Sequence, residues 1–171
     1  MTHSTATAIA HDLITIIKPY CTRIEIAGSV RREKDICKDI EIVLIPESHN
    51  KLFNKLGMYL LKLDPHFTYI KNGNKYKQFR YQHEVIDMFI AHPDNWGYLF
   101  AIRTGSAEYS HNTLATGWVK AGYKGENGFL TKHGAIVPVK EEIDLFNLIG
   151  IPYMEPKERK GEICLDILWV S

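Results

Sequence analysis

The chain has 171 residues, of which 45% are hydrophobic and 24% are charged, and these average values exclude a disordered, collagen-like or low-complexity protein. No apolar run reaches the roughly 18 residues that span a bilayer, and no secretory signal is evident, so we expect no membrane partner. The three cysteines are scattered without a CxxC pair, which favours a reducing, cytoplasmic location and no zinc site. The net charge is only +1, so any nucleic-acid binding has to depend on local basic patches.

The first half of the chain alternates helical and strand patterns. Apolar residues at helical spacing predict one helix over residues 4–20 and another over residues 51–63. Alternating or continuously apolar runs predict five strands. These strands cover residues 23–27, 39–45, 67–70, 76–81 and 84–91. The sequence Asn72-Gly73-Asn74 indicates a hairpin turn between the third and the fourth strand.

The second half of the chain has a different sequence pattern. Asn95 is expected to cap a helix, and further helices are expected over residues 108–121 and 141–149. Two turn-forming pairs, Asn127-Gly128 and His133-Gly134, indicate a small β-region. We therefore expect an α/β (α+β) fold with a soft boundary near residue 100. Residues 1–100 would form a mixed helix–sheet domain, and residues 101–171 a smaller helix-and-hairpin lobe.

Three acidic residues stand on strands where apolar residues are expected. Asp39 and Glu41 are two positions apart, so both side chains project from the same face of their strand. Asp87 interrupts an apolar run, where an ionised carboxylate without a partner is costly. Taken singly, Asp39 can be an ordinary solvated strand end, and Asp87 can be the partner of a buried arginine. If the two strands are neighbours, the three carboxylates converge, and such oxygen ligands suit two Mg²⁺ or Mn²⁺ ions that clamp a phosphoryl group.

A glycine turn with two arginines, Gly28-Ser29-Val30-Arg31-Arg32, directly follows the first predicted strand. Glycine allows backbone N–H groups to approach an anion, Ser29 adds a hydroxyl donor, and the arginines can bind phosphate oxygens. The alternative is a solvated turn whose arginines pair with neighbouring acids. The position of the turn, one strand before Asp39 and Glu41, favours a triphosphate-binding loop.

Taken together, these residues resemble the nucleotidyltransferase signature of family X DNA polymerases, the polymerase β group. The matching blocks occur in that family's order and cover about residues 24–160. They are Gly28-Ser29-x-Arg31-Arg32, Asp39-Ile40-Glu41-Ile42-Val43, the strand with Asp87, Thr104-Gly105-Ser106 with Tyr109-Ser110-x-Asn112, Glu142-Ile143-Asp144-Leu145-Phe146 and Glu155-Pro156-Lys157-Glu158-Arg159. The resemblance implies a nucleotidyltransferase palm followed by a thumb-like lobe. The compact size is similar to that of minimal and bacteriophage-encoded members, so we expect no N-terminal lyase domain and, for a phage protein, the host cytoplasm.

The resemblance also implies an activity and a role for each site residue. The expected reaction adds a dNTP to a primer 3′-OH on primer–template or gapped DNA, with release of pyrophosphate, in DNA repair or replication. Asp39 and Glu41 would hold two Mg²⁺ ions, with Mn²⁺ as a substitute, and Asp87 would hold the catalytic ion and take the proton of the 3′-OH. The implied nucleotide-binding residues are Gly28, Ser29 and Arg32 at the phosphates, and Arg103, Thr104, Gly105 and Asn112 near the sugar and base. We expect a monomer.

The sequence departs from the family pattern at two places. Glu41 stands where the family usually has aspartate, and Ile102 and Arg103 stand where larger polymerases carry aromatic residues.

The basic residues predicted to contact DNA, which can also be ordinary solvated faces, form two groups. They are Lys71, Lys75, Lys77 and Arg80 around the hairpin, and Lys120, Lys124, Lys132 and His133 on the smaller lobe. Four aromatic residues at helical spacing are predicted to be core and not base-stacking platforms; they are Trp96, Tyr98, Tyr109 and Trp118.

Two other functions are consistent with the sequence. One is a nucleotidyltransferase of the same fold that acts on an RNA end or a small molecule. The other is a non-catalytic module that binds nucleic acid or nucleotide, for which Glu41 is the sequence hint.

Overall fold

A computed structural model describes residues 1–161, apart from the side chains of residues 50, 51, 54 and 55. Two compact units are present, one over Met1–Ala91 and the other from His92 onward. Cys21 and Cys37 are free thiols in the first unit, whereas Cys164 lies outside the described residues. None of the helices in the described part of the chain combines the length and the apolar character needed to cross a membrane.

The first unit is a five-stranded mixed sheet with helices. In chain order its elements are α1 (His3–Ile17), β1 (Cys21–Ile26), α2 (Gly28–Arg31), β2 (Ile40–Pro46), α3 (His49–Leu63), β3 (Thr68–Asn72), β4 (Tyr76–Tyr81) and β5 (Glu84–Ile90). The strand order is β1-β2-β5-β4-β3. Strands β2 and β5 are parallel, and the other neighbouring pairs are antiparallel. The mixed α+β class predicted from the sequence is therefore confirmed.

One face of this sheet forms the hydrophobic core with α1 and α3. Every second residue of β2 and β5 is apolar and buried on that face, as Ile40, Ile42, Ile86 and Met88 show with no exposed surface. The helices contribute Ala6, Ile9, Ala10, Leu13 and Ile17 from α1, and Leu52, Leu56 and Leu60 from α3. Burial of one such large apolar side chain stabilises the fold by about 1.5–3 kcal/mol. Because strand residues alternate between faces, the positions between them point to the opposite face of the sheet.

The first helix ends earlier than the sequence pattern predicts. α1 stops at Ile17, and a single 3₁₀ turn, Lys18–Tyr20, replaces its expected last turn. Pro19 has no N–H to donate and its ring crowds the preceding turn, so an α-helix cannot continue through it.

The second unit combines short helices with a small antiparallel sheet. Its elements are α4 (Trp96–Thr104), α5 (Ala107–Tyr109), a π-helix (Ser110–Ala115), α6 (Thr116–Lys120), β6 (Lys124–Glu126), β7 (Phe129–Lys132), β8 (Ala135–Val137), α7 (Glu142–Ile149) and a 3₁₀ turn (Pro156–Glu158). The three strands are ordered β6-β7-β8. The helix predicted over residues 108–121 is confirmed, and its middle part, Ser110–Ala115, is π-helical between α5 and α6. The prediction that the four aromatic residues belong to the core is confirmed: Trp96, Tyr98, Tyr109 and Trp118 are all at most 8% exposed.

Candidate active site

The parallel pairing of β2 with β5 brings the predicted acids to one face of the sheet. Glu41 and Asp87 are direct partners in the register of the two strands. Asp39 lies immediately before β2 and two residues before Glu41, so its position belongs to the same face. The condition on which the sequence argument depended, that the two strands are neighbours, is therefore met. This is the face opposite the helix-covered core.

The electrostatics of Asp39 show that these carboxylates interact. Burial raises the pKa of Asp39, and the negative charge of Asp87 raises it further. A backbone hydrogen bond and the positive charges of Lys38 and Arg32 act in the opposite direction. Like charges gathered on one face destabilise the ionised forms unless a cation compensates them.

The glycine turn lies directly against Glu41. Gly28 has φ +60°, in the left-handed region that favours glycine, and a Cβ there would lie 2.7 Å from the Glu41 carboxyl carbon and nearer still to Oε2. The backbone N–H of Ala27 donates to the Glu41 carbonyl at 2.8 Å, which ties the turn to β2. A side chain at position 28 would therefore be strained by the backbone conformation and would displace the Glu41 carboxylate.

Two side chains of the turn offer donors to an anion. The hydroxyl oxygen of Ser29 is buried and has no hydrogen-bond partner among the described residues. Arg32 is half-buried; burial lowers the pKa of its guanidinium, and the negative charges of Glu41 and Asp39 raise it. The guanidinium therefore lies within electrostatic range of the carboxylates. A phosphate oxygen at this turn would give the buried Ser29 hydroxyl a hydrogen-bond partner.

The carboxylate of Asp87 accepts two hydrogen bonds from β4. The Tyr76 hydroxyl donates to Oδ1 at 2.5 Å, and the Gln78 amide donates to the same oxygen at 2.9 Å. Neither donor was identified from the sequence. The period-two alternation of β4 does place Tyr76 and Gln78 on one face, but only the pairing of β4 with β5 shows that this face also carries Asp87.

The residue types fit a divalent cation, but the side chains do not form a ready-made metal cluster. Three carboxylates on one face supply the oxygen ligands that hard cations prefer, and their mutual repulsion favours a positive charge between them. Across residues 1–161, however, no three His, Cys, Asp or Glu side chains are gathered closely enough to hold a metal ion. The Glu41 carboxylate packs on Gly28 instead of pointing away from the glycine turn. Ion binding at this face therefore requires the Glu41 side chain to reorient.

The basic residues predicted around the hairpin separate onto two faces. Lys71 and Arg80 are exposed and lie on the acid-bearing face, since Lys71 pairs with Gln78 and Arg80 with Val85. Lys77 is only 5% exposed, so its prediction as a DNA contact is wrong.

Lys77 belongs to the helix-covered face of the sheet. Its ammonium group donates to the Asn72 side chain and lies 4.4 Å from the ring centroid of Phe53. Desolvation lowers the pKa of this lysine.

The other predicted basic residues are mostly exposed. Lys75 is exposed beside the hairpin turn. On the smaller unit Lys120, Lys124 and His133 are exposed, and the Lys132 ammonium lies 4.5 Å from the Tyr123 ring centroid.

The residues predicted near the sugar and base lie at the end of α4 and in the π-helix. Arg103 and Asn112 are half-buried, whereas Thr104 has no exposed surface. Gly105 is buried because the Tyr109 ring packs on it; a Cβ at this position would lie 2.6 Å from that ring. Thr104 and Gly105 are therefore buried inside the loop that follows α4.

The Thr-Gly-Ser and Glu-Pro-Lys-x-Arg blocks meet inside the second unit. The N–H of Ser106 donates to the Arg159 carbonyl at 3.0 Å. The Arg159 guanidinium is fully buried, donates to Glu142 at 2.6 Å and lies 5.1 Å from the ring centroids of Phe146 and Tyr153. These two motifs build the core of their own unit.

The comparisons with known proteins agree with the motifs at a coarse level. No protein-family model matches the chain. A curated relative, DNA polymerase lambda from Rattus norvegicus, is 25% identical over 77% of this chain. The chain spans 28% of the length of that protein. The similarity is that of a distant relative, and it supports a relationship to family X nucleotidyltransferases at that level only.

Proposed function

We propose that this protein is a nucleotidyltransferase that adds dNTPs to the 3′-OH of a DNA primer, on primer–template or gapped DNA. The observation that carries the proposal is the parallel register of Glu41 with Asp87, with Asp39 on the same face and the Gly28 turn against Glu41. The distant similarity to a DNA polymerase supports the same reaction class. In this proposal the first unit is the palm and the second unit is the thumb-like lobe.

The proposed chemistry is an in-line displacement at phosphorus. The 3′-oxygen of the primer forms a bond to the α-phosphorus of the triphosphate, and the bond from that phosphorus to pyrophosphate breaks. Asp87 takes the proton of the 3′-OH or passes it to water. Asp39, Glu41 and Asp87 would hold two divalent ions, which supply charge neutralisation at the phosphates and an acidified hydroxyl.

The triphosphate is held by the glycine turn. The Ser29 hydroxyl and the Arg32 guanidinium bind the β- and γ-phosphate oxygens, and the absence of a side chain at Gly28 leaves the backbone accessible. In the second unit, the half-buried Arg103 and Asn112 are the side chains proposed to recognise a sugar or base, and Thr104 and Gly105 are buried within the same loop. Lys71 and Arg80, on the same face as the acids, bind the phosphate backbone of the primer strand.

A non-catalytic nucleotide- or nucleic-acid-binding module is the second candidate. It is favoured by the finding that the described residues contain no gathered metal cluster. In that case the glycine turn would still bind a triphosphate, but no nucleotide would be transferred.

Primer extension separates these functions. The wild-type protein is incubated with labelled dNTPs or NTPs, with Mg²⁺ or Mn²⁺, and with gapped duplex, single-stranded DNA or an RNA primer. We expect divalent-dependent incorporation of dNTPs on the gapped duplex. Preferential extension of RNA would favour another acceptor, and the absence of incorporation on every acceptor would favour the binding module.

The variant Asp87→Asn assigns the activity to the site. It should lose extension while its urea unfolding curve stays close to that of the wild type, and Asp12→Asn, at an exposed position of α1, is the matched control. Extension retained by Asp87→Asn would refute the role of Asp87.

A further inference from the structure

Two hydrogen bonds from β4 meet on the same oxygen of the Asp87 carboxylate. Gln78 is the direct partner of Asp87 in the antiparallel pairing of β4 with β5, and Tyr76 is two residues earlier on the same face. Both side chains donate to Oδ1, at 2.9 Å and 2.5 Å. The other oxygen of the carboxylate, Oδ2, receives a hydrogen bond from neither of them. One oxygen of the carboxylate is therefore held by both donors, and Tyr76 and Gln78 leave the second oxygen uncovered.

Both donors are held in place by their surroundings. The Tyr76 ring stacks on Phe89, with centroids 5.0 Å apart and planes inclined by 24°, and the Lys71 ammonium lies 5.6 Å from the Tyr76 ring centroid. Gln78 is half-buried and lies in register between Lys71 and Asp87. The hydroxyl and the amide are thus presented from a paired central strand and not from a loop. Donors on such elements hold a functional carboxylate more accurately than loop donors do.

We propose that Tyr76 and Gln78 are positioning residues, which orient the Asp87 carboxylate so that its second oxygen binds the divalent cation. The inference rests on the proposed function, because it assigns Asp87 as a cation ligand. Hydrogen-bond donors behind a ligating group restrict its rotation and commonly change cation affinity or activity by about 10–100-fold when removed. A purely structural role would predict a change in stability and none in cation affinity.

The test measures cation binding directly. Free Mn²⁺ is followed by electron paramagnetic resonance during titration of the wild type, Tyr76→Phe, Gln78→Met and Asp87→Asn. Tyr76→Phe keeps the ring that stacks on Phe89 and removes only the hydroxyl. Tyr81→Phe is the control, since Tyr81 is on the same strand but buried on the opposite, helix-covered face. Urea unfolding of every variant, and primer extension as a function of Mg²⁺ concentration, accompany the titrations.

We expect about tenfold weaker Mn²⁺ binding for Tyr76→Phe and for Gln78→Met, and a parallel increase in the Mg²⁺ concentration needed for half-maximal extension. Tyr81→Phe should bind Mn²⁺ as the wild type does. Unchanged or tighter binding by both Tyr76→Phe and Gln78→Met would overturn the positioning role and leave the proposed function intact. Equal binding by the wild type and Asp87→Asn would overturn both, because Asp87 would not be a ligand. Weaker Mn²⁺ binding by Tyr76→Phe and Gln78→Met, in a protein whose wild type incorporates no nucleotide, would support the positioning role and contradict only the polymerase.

Discussion

The contact between Gly28 and Glu41 gives a quantitative prediction for the substitution Gly28→Ala. A Cβ at position 28 would lie 2.7 Å from the Glu41 carboxyl carbon, and ordinary van der Waals contact begins near 3.4 Å. The carboxyl group must therefore move away, and because it is the end of a flexible side chain we expect this to cost about 1 kcal/mol, the low end for added bulk. The left-handed backbone conformation adds about 1–2 kcal/mol for a residue that has a Cβ. We expect a total loss of about 2–3 kcal/mol in the free energy of unfolding.

A double-mutant cycle separates these two costs. In the Glu41→Ala background the carboxyl group is absent, so Gly28→Ala should cost only the backbone contribution of about 1–2 kcal/mol. The difference between the two backgrounds, about 1 kcal/mol, is the coupling between the residues. Gly134→Ala is the matched control: Gly134 has φ +79°, and a Cβ there would meet no other atom within 4 Å, so this variant reports the backbone cost alone.

Urea unfolding followed by far-ultraviolet circular dichroism measures the four free energies. The slope of the free energy against urea concentration should be the same in all variants, so that differences in midpoint report differences in stability. The reasoning is refuted if Gly28→Ala costs the same with and without the Glu41 side chain, or no more than Gly134→Ala.

Three further predictions concern stability. Arg159→Met leaves the buried carboxylate of Glu142 without its cation, so we expect a loss of about 3–5 kcal/mol in urea unfolding, and a loss below about 1 kcal/mol would contradict this. Gly97→Ala places a Cβ against the carbonyl group of Glu141 and 2.8 Å from the backbone nitrogen of Glu142. The melting temperature of this variant should therefore fall, because α4 and the start of α7 must move apart. An unchanged melting temperature would contradict this close contact. Backbone hydrogen bonds lower the pKa of Asp64 in the folded protein. The ionised Asp64 carboxylate therefore stabilises the fold above its unfolded pKa of about 3.9, and this contribution is lost as the pH falls through the folded pKa. Thermal unfolding of Asp64→Asn should therefore depend less on pH than that of the wild type below about pH 4, and equal slopes would exclude this role.

The strands that carry the acids could be predicted from the sequence, but their pairing could not. Ile40 and Ile42 alternate with Glu41, and Ile86 and Met88 flank Asp87, so the face of each acid follows from the two-residue period. The parallel pairing depends on how α3 and the β3–β4 hairpin connect the two strands, which no local pattern specifies. Only the resemblance to a known family indicated that the two strands are neighbours.

The errors of prediction have physical causes in the tertiary structure. Lys77 was predicted to be at the surface because of its charge, although it shares a face of β4 with the buried Phe79 and Tyr81. Its ammonium group lies over the Phe53 ring and donates to Asn72, and these contacts depend on the tertiary structure. Tyr76 and Gln78 were missed because a hydrogen bond to Asp87 exists only once β4 pairs with β5.

Pyrophosphate release from a γ-labelled dNTP in the presence of a gapped primer tests most directly whether Asp39, Glu41 and Asp87 act together on a triphosphate. The account predicts release that requires a divalent cation and a primer 3′-OH, and that falls by about 10²–10⁴-fold in each of Asp39→Asn, Glu41→Gln and Asp87→Asn. Release at the wild-type rate by any of these folded variants, or release that continues after the cations are chelated, would contradict it.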